Sequence, residues 1–224
     1  MSEWWKYSPE DLLLFSPRVY YRLLELHNEA WWPLQIIALA LGIAITLLLI
    51  GAWPKANQWI AAILGALWIW VAWSFLWERF ATVHWAVAYI APLFAVQGAI
   101  LLAHGAGWRG LEFSPLRWQR LAAAALFTAV LLYPLLALWE GRSIAGAETF
   151  GMFPDPTAVA TLAVLAAMRR GLPLTVIPLL WCLLSSETLS LLHAPGFFVP
   201  ATGAVLALFI HLAGRFCLAR VAHD

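Results

Sequence analysis

The residues with the most chemical potential are ionisable or amide side chains set inside otherwise apolar runs: Asp155, Glu187, Gln97, His84 and His211. Each costs about 2.5–3.5 kcal/mol or more at the middle of a bilayer, so function is the default reading for such positions. Glu187 lies in Ser185-Ser186-Glu187-Thr188-Leu189-Ser190, and Asp155 sits between Pro154 and Pro156. Carboxylates and imidazoles at membrane depth suit a proton relay, an ion path or a metal site. No pair has metal-ligand spacing such as His-x-x-x-His or Glu-x-x-His, so no metal or other cofactor is expected. The bland reading runs beside the sharp one. Glu187 could snorkel to the interface, and His211 could be a neutral core histidine.

Tryptophan is the second signal, with 15 copies. Trp53, Trp59, Trp77, Trp85, Trp108, Trp118 and Trp139 fall at expected interfaces, where an aromatic belt accounts for them. Trp68, Trp70 and Trp73 fall mid-span. Trp70, Trp73 and Trp77 share a helix face at i, i+3 and i+7, which predicts an aromatic wall. It could hold a lipid, quinone or pigment, but helix–helix packing with indole N–H groups bonded across helices is the favoured reading.

The elements that must position these residues are membrane helices. The chain is 63% hydrophobic and 11% charged, against about 25% charged for an ordinary soluble domain. The fold class expected is all-α, a polytopic transmembrane helix bundle of about seven helices plus short N-terminal interfacial helices. The expected spans are 33–53, 57–80, 83–104, 114–139, a broken fifth segment, 172–192 and 200–218. Residues 33–224 form one transmembrane domain. A net charge of +1 gives no basic surface for nucleic acid. Cys182 and Cys217 sit in apolar sequence and suggest neither a disulfide scaffold nor a metal site.

Residues 1–32 are too acidic, and too long before the apolar run, to be a signal peptide, and are expected to be retained. They read as two short helices at the membrane surface. One starts at Ser8-Pro9-Glu10-Asp11 and the other at Ser16-Pro17. In the second, Arg18, Arg22, Glu25 and Glu29 form one stripe, with Trp4, Trp5, Trp31 and Trp32 as anchors on either side.

The fifth segment decides the topology. Residues 157–168 are apolar but cover only about 18 Å of a roughly 30 Å core. Residues 143–156 carry Gly146, Gly151, Pro154 and Pro156 and resist a continuous helix. An irregular half followed by a half-helix starting at Asp155-Pro156-Thr157 is expected, and a re-entrant loop is the alternative. Seven crossings put five Lys and Arg on the N-terminal side and eight on the other, while six crossings give nine against four with both termini inside. Segment length and the Asp-Pro start favour seven. A further likeness, 15–23 with 113–121, fades beyond Leu23 and is met equally by an interfacial helix start used twice.

The opening from Ser2-Glu3-Trp4-Trp5 to Tyr21-Arg22-Leu23, together with Phe150-Gly151-Met152-Phe153-Pro154-Asp155-Pro156-Thr157 and Thr161-Leu162, resembles an uncharacterised family of bacterial multi-span membrane proteins. The resemblance implies a cytoplasmic (inner) membrane location and no assigned activity. It also implies that a Cys often stands where Asp155 does here.

No phosphate loop, nucleophile elbow, Cys-x-x-Cys or His-Glu-x-x-His is present, so an enzyme is not the expectation. Three functions remain: a non-catalytic scaffold or accessory subunit, a small transporter or channel, and an intramembrane cofactor or lipid/quinone binder, in that order. A dry interior favours the first, and a water-filled cavity reaching Glu187 the second. Expected partners are the lipid bilayer and either other membrane subunits or further copies of this chain.

Overall fold

The apolar segments form helices because nothing else satisfies their backbone away from water. A computed structural model describes residues 15–51, 53–108, 111–169 and 171–221. The expected helix start at 8–11, Trp4, Trp5, Lys6, Arg109 and Arg170 lie outside those residues. The helices are α1 (Pro17–Ala30), α2 (Leu34–Gly51), α3 (Ala56–Val71), α4 (Val87–Gly105), α5 (Arg117–Leu131), α6 (Pro134–Trp139), α7 (Pro154–Ala166), α8 (Val176–Leu191) and α9 (Val199–Val221). Among the described residues there is no strand, only one isolated antiparallel bridge between Phe113 and Met168. The fold is an all-helical bundle, as expected.

Five stretches are long and apolar enough to cross a membrane: Leu34–Gly51, Ala56–Thr82, Val87–Gly105, Leu172–Leu191 and Val199–Arg220. The other two expected spans take different forms. The fourth is divided at Pro134, which has no N–H to give to Val130. Bonds from Leu132 N to Ala129 O and from Tyr133 N to Val130 O tighten the turn before it, and α6 continues the course. Together α5 and α6 cover about 34 Å. The fifth is α7, with 13 residues and about 20 Å of rise.

α7 is the axis of the bundle. Every one of its residues is buried. It packs on α5, α8 and α9, and on α3 through Trp68, whose indole N–H donates to Thr161 Oγ1 at 2.7 Å. α7 starts beside Ser185 of α8 and ends beside Gln119 of α5. It therefore runs against both, and alongside α9, where Gly203 sits on Val159 and Gly214 on Gln119. Direction thus alternates from α5 through α7 and α8 to α9.

Small residues set the closest approach. A Cβ on Gly65 of α3 would come within 2.7 Å of the Gly98 carbonyl of α4, and one on Gly105 within 2.9 Å of Ala62. This is the small-residue packing of membrane helices.

α1 caps one end. Ser16 Oγ accepts from Val19 N at 3.4 Å, and Pro17 opens the first turn. Tyr20, Leu24 and His27 recur at i, i+4 and i+7 and are buried, while Arg22 pairs with Glu25 at 2.7 Å on the other face. Asn28 ties the helix down by donating to the carbonyls of Ala145 and Ala147 at 2.8 and 2.9 Å.

His27 was not singled out by the sequence reading. Its ring lies edge-on between Phe75 and Phe153, at 5.2 and 5.1 Å. Burial pushes its pKa down to about 3, Arg79 adds to this, and the Met152 carbonyl opposes it. A histidine held neutral in the fold but protonated near 6.5 when unfolded contributes stability above pH 6.5 that is lost as pH falls. Between pH 7 and pH 5 this loss is about 2 kcal/mol. Unfolding titrations at the two pH values should show it, and His27→Leu should shrink the pH dependence by about that amount.

Candidate functional site

The sequence feature that most resists a plain helix, 143–156, builds the polar centre. Between the short 3-10 turn Ile144–Gly146 and the start of α7, part of its backbone is bonded locally. Met152 N and Phe153 N donate to Thr149 O at 3.0 and 3.1 Å, and Gly151 N donates to Thr157 Oγ1 at 2.9 Å. Gly151 stands at φ +76°, a left-handed turn that glycine adopts without strain, with Leu67 and Ala38 packed against it. The helix then starts at Pro154, after the extended Phe153.

Asp155 is 1% exposed. Its carboxylate accepts across the bundle: Trp181 Nε1 donates to Oδ1 at 2.7 Å and Ser185 Oγ to Oδ2 at 2.6 Å. The two donors are i and i+4 on α8, one face of one helix. In its first-turn position the carboxylate also opposes the positive end of α7. The donors are held in turn: Trp181 meets Phe94 edge-on at 5.0 Å, and Phe94 lies on Trp68 at 4.3 Å. Thr161 and Thr157 return their hydroxyls to the carbonyls of Thr157 and Phe153.

A second carboxylate, Glu148, is also buried, and the Asp155 charge acts on it. Beside it lies a cavity of about 10 Å³, lined by Tyr21, Tyr133, Glu140, Arg142, Glu148 and Leu189 among others. That is room for about one water. Arg142 closes it from outside. Its Nε donates to Glu140 Oε2 at 2.7 Å, its Nη1 to Gly146 O at 3.0 Å, and its guanidinium stacks on the Tyr21 ring at 4.4 Å. Glu140 Oε1 accepts from Gly196 N at 2.9 Å, which fixes the α8–α9 turn. Burial, then Glu140, raises the Tyr21 phenol pKa, with Arg142 opposing.

The other expected site residues do not join this centre. Glu187 is exposed on the outer side of α8, in an open groove with Phe197, Phe198 and Val205. The α8 face that meets Asp155 carries Trp181 and Ser185, two positions off the Glu187 register. Gln97 is buried but donates to Leu174 O at 3.1 Å, stitching α4 to the start of α8. His84 is half-buried and meets Phe15 and Phe80 edge-on at 5.8 and 6.3 Å. His211 is buried at the far end of α7.

The aromatic wall is also different. Trp70 and Trp73 are 5.6 Å apart, and Trp31 completes the cluster at 4.7 and 5.9 Å. Trp77 is 53% exposed and stands apart. Residues Ala72–Trp77 form a π-helical turn, closed by Glu78 N to Trp73 O at 3.0 Å. The wider turn breaks the i, i+3, i+7 spacing on which the wall was drawn. Trp68 follows the packing reading, with its N–H bonded across to α7.

Among the described residues, no three His, Cys, Asp or Glu side chains come together as a metal site would require. Glu148, Tyr133 and Tyr21 were missed by the sequence reading. The signal available was the rarity of an acid in the uncharged run before Asp155.

The Asp155 bonds give a graded expectation. Asp155→Leu leaves an indole N–H and a hydroxyl buried without an acceptor and should cost about 3 kcal/mol or more in detergent unfolding. Asp155→Asn keeps an acceptor for Trp181 and should cost about 1 kcal/mol. Equal losses would contradict this bonding pattern.

The chain belongs to DUF6064, a family of unknown function, whose family model matches residues 17–221. This agrees with the resemblance to an uncharacterised family. No curated protein and no solved structure matches it.

Proposed function

We propose that this is a non-catalytic, multi-pass protein of the bacterial cytoplasmic membrane, a scaffold or accessory subunit that works through its outer surface. One observation carries the reading. All 13 residues of α7 are buried, and the cavity that Glu148 lines measures about 10 Å³. A transport path needs room along the axis for its cargo, and α7 fills that axis. Irregular backbone at membrane depth is tolerated when it is buried in protein, and 147–153 meets that condition without a pore. The larger spaces are lateral. An apolar groove of about 600 Å³ runs between Trp32, Ile36 and Leu39 on one side and Pro134 and Ile144 on the other. It opens outward, where lipid or a neighbouring subunit lies.

The orientation that goes with this reading is N-out and C-in, with Arg117, Arg120, Arg169, Arg215 and Arg220 on the cytoplasmic side. A reporter fused after Asp224 should read cytoplasmic.

Proton movement is the second reading. Its support is that two carboxylates, Glu148 and Asp155, are buried in the centre, with the Tyr133 phenol lining the same cavity as Glu148. Liposomes containing the purified protein and a trapped pH-sensitive dye separate the two. The scaffold reading expects leakage equal to empty liposomes when a pH gradient is imposed. Flux that Asp155→Asn abolishes would replace it with proton transport.

A further inference from the structure

The end of the bundle opposite the carboxylates holds a second polar pocket that the scaffold reading does not use. It lies between the loop before α5, the turn after α7 and the C-terminal half of α9. Its volume is about 180 Å³, and Ser114, Gln119, Met168, Arg169, His211 and Arg215 line it. At about 30 Å³ per water, that is space for about six waters, ample for an oxyanion of phosphate size.

The walls are built rather than accidental. Ser114 N donates to Ala167 O at 2.8 Å and Arg169 N to Glu112 O at 2.9 Å, which stitches the two loops together. Gln119 Nε2 donates to Ala166 O at 2.7 Å and so closes the end of α7. The Gln119 amide lies on Gly214, where a Cβ would stand 2.2 Å from it. A glycine at that point lets α9 come close enough to bring His211 and Arg215 to the same space.

Positive charge converges there. Arg169 and Arg215 line the pocket, and Arg120 stacks on Phe113 at 5.9 Å with a buried Nε that has no hydrogen-bond partner. The nearby acid is Glu112, 3.7 Å from Arg169, with both side chains more than half exposed. A contact of that kind is weak and readily exchanged.

Beneath the lining, two groups sealed from water lack well-formed partners. His211 is 3% exposed and lies against the carbonyls of Leu165 and Ala166, yet neither ring nitrogen reaches hydrogen-bond geometry. Gln119 Oε1 is buried and unpaired. Buried polar atoms are rarely left so, because each costs a lost hydrogen bond. One is a potential donor and the other an acceptor.

The geometry points to a binding pocket for a phosphate group. Arg169 and Arg215 supply the charge and the hydrogen-bond donors. Two sources offer that chemistry. One is hydrogen phosphate in solution. The other is the headgroup of phosphatidylglycerol, which would sit at the depth of these arginines in a cytoplasmic leaflet.

The test uses the full-length protein in phosphatidylcholine nanodiscs, with melting temperature as readout. Inorganic phosphate is added in one arm, against sodium chloride at equal ionic strength. Phosphatidylglycerol replaces part of the lipid in the other. A ligand that binds the folded state raises the melting temperature with concentration. Stabilisation in the phosphate arm alone assigns a small-anion site, and in the lipid arm alone a headgroup site. The double variant R169Q/R215Q should weaken the effective arm about tenfold or more, as expected for loss of charge-assisted bonds. Arg22→Gln, a distant cation, should leave it unchanged. If the double variant does not fold, Arg215→Gln alone, on the exposed side of α9, carries the comparison. No stabilisation in either arm, or equal stabilisation of the arginine variants, overturns the proposal.

Discussion

The rest of this structure follows from the need to enclose one short helix and the irregular run before it. α7 rises about 20 Å, every one of its residues is buried, and it is preceded by 147–153, which is not helical. Non-helical backbone cannot face lipid, so the segment has to be enclosed. The longer helices enclose it. They leave their own outer faces to aliphatic and aromatic side chains, of which Ile36, Ile43, Leu180, Phe209 and Trp59 are more than half exposed.

Enclosure then dictates the polar chemistry. The turn at Gly151 and the start of α7 bring Asp155 and Glu148 inside, where an unpaired carboxylate would be costly. Trp181 and Ser185 meet the first carboxylate directly, and Arg142 with Glu140 shields the second from outside. The same economy is visible along α7, where each threonine hydroxyl bonds back one turn while also receiving a bond from another group. Such a network holds helices in register without needing a ligand, which is why buried polar residues alone do not argue for transport.

Much of this was legible in the sequence because it lies in composition and length. The bundle, the interruption before Asp155 and the helix starts at Ser16-Pro17 and Asp155-Pro156 all come from apolar periodicity, proline and glycine. The side-chain partners were not legible. Whether Asp155 bonds its own helix start or α8 depends on which face of α8 turns inward, and that is set by the packing of Trp181 on Phe94. Glu187 was left between two readings for the same reason, since an acid in an apolar run can face either way, and it faces outward. Trp77 parts from Trp70 and Trp73 because one inserted π turn, invisible in the residue pattern, rotates everything after it, and it is exposed as an interface tryptophan would be. His27 was missed because a histidine in an amphipathic surface helix reads as polar, although it is sealed between two phenylalanines.

The central claim is that the space around α7 is filled by protein and closed to water, and the chain carries its own reporters of it. Cys182 is fully buried on α8 near Asp155, while Cys217 is exposed near the end of α9. The most direct measurement is labelling of the unaltered protein in intact membranes with a membrane-permeant maleimide, read by mass of the labelled peptides. Cys217 should react and Cys182 should react only after the protein is unfolded in SDS. Labelling of Cys182 at the rate of Cys217 in intact membranes would show a water path to the centre of the bundle and contradict the account.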